Sequence, residues 1–78
     1  MRELEKFDRF NNVAYGNCYI LDKTEDYYLI FIPNNSEKFA ISSYIDKYSG
    51  AIVGTRYFKE ISSAYEAFKE ANYELCNI

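Results

Sequence analysis

Twelve acidic side chains, two cysteines and no histidine define what chemistry this 78-residue chain could perform. Histidine is the commonest general base and metal ligand, and it is missing. Cys18 and Cys76 stand far apart and show no Cys-x-x-Cys spacing, so a zinc site is not expected. A nucleophilic Cys18 would need an activating base, and none is identifiable; its neighbours Tyr19, Ile20 and Leu21 predict burial, which leaves a thiol inert. Both cysteines therefore read as free thiols. The glycines Gly16, Gly50 and Gly54 form neither a phosphate-binding loop nor a dinucleotide fingerprint. Paired carboxylates could in principle cleave a glycoside, but so short a chain has little room for the surrounding cleft. The expectation is a protein that is not an enzyme and holds no metal or cofactor.

The carboxylates that do show a pattern are Glu66, Glu70 and Glu74, at successive i,i+4 positions, with Tyr73 beside them. From Ile61 the apolar period is 3.6. Ile61, Ala64, Tyr65, Phe68, Ala71, Asn72 and Leu75 share one face of a predicted helix, and Ser63 with Glu66 has capping-box spacing. The glutamate line lies almost opposite that face and must point to solvent. Like charges at this spacing destabilise a helix by about 0.2–0.5 kcal/mol per pair, and Glu74 near the C-terminus opposes the macrodipole. Only Lys69 offsets this locally. Two readings follow: an ordinary solvated face, or an acidic ridge flanked by Tyr73 that docks on a basic surface of a partner. In the second, Glu66, Glu70, Tyr73 and Glu74 are the partner-binding residues.

Other elements must position this helix. A chain of this length buries only about 60% of its unfolded surface, but nine Tyr and six Phe supply large apolar bodies. Arg2 to Asn12 places Leu4, Phe7 and Asn11 on one helical face, with Phe10 at its edge, and predicts a short N-terminal helix. Gly16-Asn17 breaks it. Cys18 to Asp22 reads as a strand, Lys23 to Asp26 as a turn, and Tyr27 to Ile32 as an antiparallel partner ended by Pro33. Over residues 36–49 the pattern fits two structures. Phe39, Ile41 and Ile45 alternate as in a half-buried strand, while Ile41, Tyr44, Ile45 and Tyr48 also match a helix. Asp46 to Gly50 reads as a hairpin loop and Ala51 to Phe58 as a further strand. The predicted fold is a single α+β domain over residues 1–78: a short N-terminal helix, an antiparallel β-meander of three to four strands, and a C-terminal amphipathic helix packed on the sheet. The first two strands are apolar on both faces. Two helices on one side would expose an aromatic patch on the other; one helix on each side would leave none.

Net charge −3 opposes attraction to nucleic-acid phosphates or to an anionic membrane. Arg56, with Tyr57, Phe58 and Lys59, is the one local hint of a nucleic-acid contact. The start Met1-Arg-Glu-Leu-Glu has no apolar signal region, and no apolar run approaches the roughly 18–20 residues of a membrane span, so a cytoplasmic protein is expected. The stretch Gly54-Thr-Arg-Tyr-Phe58 followed by Ile61 to Phe68 resembles the strand-into-amphipathic-helix ending of many very small phage and plasmid proteins. With the short acidic chain and its abundant Tyr, Asn, Ile and Lys, the whole resembles the mobile-element inhibitors of bacterial defence, of which anti-CRISPR proteins are the largest group. That resemblance implies stoichiometric binding to a bacterial effector such as a Cas protein, often through acidic residues placed where nucleic acid would sit; it assigns no site residue. The expected function is thus a non-catalytic inhibitor of a basic, nucleic-acid-binding surface. The alternatives are a small nucleic-acid-binding or regulatory module using Arg56, and a homodimer joined through an apolar sheet face.

Overall fold

A computed structural model describes residues 6–76, with side chains described over residues 6–72. Strands β1 (Arg9–Asn12), β2 (Gly16–Lys23), β3 (Tyr28–Phe31) and β4 (Phe39–Ser42) form an antiparallel meander. A small two-stranded sheet, β5 (Tyr44–Ile45) with β6 (Ile52–Val53), follows. β7 (Arg56–Phe58) then returns beside β4, giving the order β1-β2-β3-β4-β7, and helix α1 (Ile61–Cys76) ends the described chain. Over the described residues the protein is mostly β with one helix.

The predicted N-terminal helix is absent from the described part of residues 2–12; Met1 to Glu5, with Leu4, lie outside the described residues. Phe7 takes a left-handed φ of 67°, which a right-handed helix does not accommodate, and its N–H donates to Ile20 O at 2.6 Å. Beyond it burial alternates with period two: Arg9 and Asn11 are exposed, Phe10 and Asn12 buried. Asn12 then closes the turn, its Oδ1 accepting from the N–H groups of Ala14 (2.7 Å) and Tyr15 (3.0 Å).

The expected meander of three to four strands is also too simple. Residues 36–49 contain no helix, and the strand expected from Phe39 to Ile45 breaks at Ser43 into β4 and β5. Ser42 makes that break possible. Its buried hydroxyl lies 2.8 Å from Tyr44 O and 2.7 Å from Val53 O, and accepts from the N–H of Val53 at 3.2 Å, satisfying main-chain groups where the ladder stops. The strand predicted from Ala51 to Phe58 breaks likewise into β6 and β7 at Gly54, whose φ is 65°.

Two cores sit on opposite faces of the large sheet. One holds Phe10, Cys18, Ile20, Ile30, Ile32 and Ala40 under Ile45 and Ile52 of the small sheet. The other holds Leu29 and Ile41 under Ala64, Ala67 and Phe68 of α1. The face that two helices on one side would have exposed is therefore covered by the β5–β6 hairpin.

Candidate interaction surface

α1 starts two residues before Ser63, so the expected capping box does not form; the first helical bond runs from Ala64 N–H to Glu60 O at 3.2 Å. The buried stripe is also rotated from the predicted one. Ala64, Ala67 and Phe68 are buried, whereas Ile61 and Tyr65 are each 44% exposed. Small residues at 64 and 67 let the helix backbone approach the sheet, so the face centres on alanines rather than on the larger side chains.

Glu66 and Glu70 are exposed on the far side of α1. Tyr73 and Glu74 lie in the helix backbone, but their side chains fall outside the described ones. The cation of Lys69 stands 4.8 Å from the centre of the Tyr65 ring and makes no ion pair among the described residues. No ion pair is formed by Glu66 or Glu70 among the described residues. Helix stability does not explain these glutamates: α1 has no acidic residue in its first turn and no basic residue in its last.

The structure adds two acidic groups that spacing along one helix could not reveal. Thr24 of the β2–β3 turn bonds Asn72 (Oγ1 to Oδ1, 2.5 Å), and Asn72 Nδ2 donates to Phe68 O at 2.7 Å. The clasp brings the exposed Glu25 and Asp26 to the same end of the molecule as the second half of α1. Thr24 also accepts from the N–H of Tyr27 (3.3 Å), which fixes the turn.

Other groups singled out by sequence are placed elsewhere. Arg56, on β7, stacks over Phe58 at 5.4 Å on the helix side of the sheet. Cys18 is fully buried and free; burial pushes its thiol pKa up, so it remains protonated and unreactive. Asp46 holds the β5–β6 loop, accepting from Ser49 Oγ at 2.6 Å, and this bond with that from the Tyr48 N–H keeps its carboxyl below the usual range. Among the described residues no three of Cys, Asp and Glu gather to hold a metal ion, and no helix is long and apolar enough to cross a membrane. Comparison with protein-family models, curated proteins and solved structures found no match to this chain.

Proposed function

We propose that this protein is a non-catalytic inhibitor acting in the cytoplasm of a bacterium, and that the outward face of α1 occupies a basic, nucleic-acid-binding surface of a larger effector, as anti-CRISPR proteins do. What carries the reading is the set of exposed carboxylates at Glu66, Glu70, Glu25 and Asp26, none of them in an ion pair among the described residues, on one helix and on the turn that Thr24 clasps to it. Tyr73 and Glu74 extend the same helix and belong to the proposed surface. Carboxylates on a fixed helix can meet lysines and arginines that otherwise hold phosphates, and such a contact is steered at long range and weakened by salt. The inhibitor thereby competes with nucleic acid without any bond being made or broken.

The test is capture of a nucleic-acid-binding protein from bacterial lysate on the immobilised chain, with release by competing DNA or RNA. Replacing Glu66, Glu70 and Glu74 by lysine should weaken binding to the captured protein more than tenfold, about 1.4 kcal/mol, with an unchanged circular dichroism spectrum. Unchanged affinity removes the helix face from consideration. A mobility shift of free DNA or RNA by the chain itself at low salt would instead support the nucleic-acid-binding alternative.

A further inference from the structure

The helix side of the large sheet is only partly covered. α1 rests chiefly on β3, β4 and β7, and beyond it Tyr19, Leu21 and Phe31 surround an apolar groove of about 290 Å³ that Phe7 walls on its outer side. A shift in the β2–β3 register between Ile20 and Asp22 creates this surface, because Asp22 then stands opposite Leu29 and faces the same way as Tyr19, which stands opposite Phe31. The Tyr19 and Phe31 rings are 6.1 Å apart, and Phe31 stands 5.5 Å from Phe39, so the groove opens from an aromatic row that continues under the helix. Phe7 itself is 78% exposed, on a left-handed backbone that a phenylalanine rarely adopts. A large apolar side chain held outward in an unfavourable conformation is accounted for when the ring is buried in an interface.

We propose that this face joins a second copy of the same chain about a twofold axis, each Phe7 ring entering the groove of the other. A twofold interface needs one patch to be complementary to itself, and here a projecting ring and an apolar groove lie side by side. The charges at the patch fit the same partner. Lys6 Nζ lies 3.3 Å from Asp22 Oδ1, a cation and a carboxylate side by side at the patch, so an inverted copy sets each against its opposite, whereas a surface of one sign meets repulsion from one of the two. β1 is also one edge of the sheet, and among the described residues no strand pairs with its outward main-chain groups. The patch is small beside the roughly 800 Å² per partner of a standard interface, which sets a weak dimer, half dissociated at micromolar concentration.

Sedimentation velocity of the full chain over about 1–500 µM tests this. The expected result is a monomer–dimer equilibrium that Phe7→Glu and Tyr19→Arg each abolish, with circular dichroism unchanged, while Tyr48→Glu, at an 82% exposed site on the β5–β6 loop, leaves it intact. Wild-type protein that stays monomeric throughout overturns the proposal and assigns the groove to another molecule or to the chain's own first residues. A dimer that survives both groove variants, or that Tyr48→Glu disrupts equally, also overturns it.

Discussion

Tyr57 carries the clearest consequence of burial for a single side chain. Its ring packs against the core under the small sheet, and its hydroxyl lies 3.4 Å from that of Tyr15, with the two rings edge to face at 6.4 Å. Desolvation first, and then the Tyr15 hydrogen bond, push its pKa up from 10.0 to about 12. The sign follows from linkage. A folded-state pKa above the unfolded value favours the protonated form in the fold, so the stability it contributes is whole below about pH 10 and is lost as the pH rises through about 12. In an absorbance titration near 295 nm, the wild-type chain should show a tyrosine ionisation near pH 12 together with loss of near-ultraviolet dichroism. Tyr57→Phe should remove that step, and an identical titration curve would assign the shift elsewhere.

At the scale of elements, the turn at Asn12 and the loop at Gly50 form one device. Asn12 Nδ2 donates to Gly50 O at 2.7 Å while its Oδ1 caps the β1–β2 turn. A Cβ on Gly50 would lie 2.0 Å from Asn11 O and 2.9 Å from Asn12 Cα, both main-chain atoms, at a φ of 73°. Gly50→Ala should therefore cost more than about 2 kcal/mol in urea unfolding, and Asn12→Ala, which strands the buried Gly50 carbonyl and uncaps the turn, about 2 kcal/mol. Because both break the same contact, the double variant should cost less than the sum; strict additivity would show the two are uncoupled. This clasp also explains what sequence could not reveal. The β2–β3 hairpin and the presence of a helix from Ile61 were legible because turn residues and periodicity are local, although the cap of that helix and its buried stripe were not. The strand at residues 9–12 was not, since an asparagine at a buried strand position makes sense only once Gly50, far along the chain, is in place. Ser42 is a second case: its hydroxyl ends one sheet and starts another through Val53. Of the candidate surface, the exposure of Glu66 and Glu70 followed from helical spacing. The contribution of Glu25 and Asp26, and the groove at Phe7, depend on where the helix stops covering the sheet.

For the molecule as a whole, the decisive feature is that two cores share one wall. Along β3 and just past it, Leu29 and Phe31 face the helix while Ile30 and Ile32 face the small sheet. Removing either cover exposes one side of the same strand, and a chain of this size has little surplus burial with which to hold the other side alone. The two cores should therefore melt as one unit. Ile45→Val, under the small sheet, should cost about 1 kcal/mol. Ala67→Gly, in the buried stripe of α1, should cost about 1 kcal/mol by another route, through helix propensity. Each should lower the melting temperature by about 4–8 °C. Far-ultraviolet dichroism follows the helix, whereas the near-ultraviolet tyrosine signal, read in a Tyr27→Phe background that removes the tyrosine packed beside the helix, draws on Tyr15, Tyr28 and Tyr57 on the opposite face. If the shared strand couples them, the two signals coincide in both variants. A small-sheet transition that separates from the helix transition in Ile45→Val would show instead that β3 transmits no cooperativity, and that the hairpin is a cover laid on a sheet already stable beneath α1.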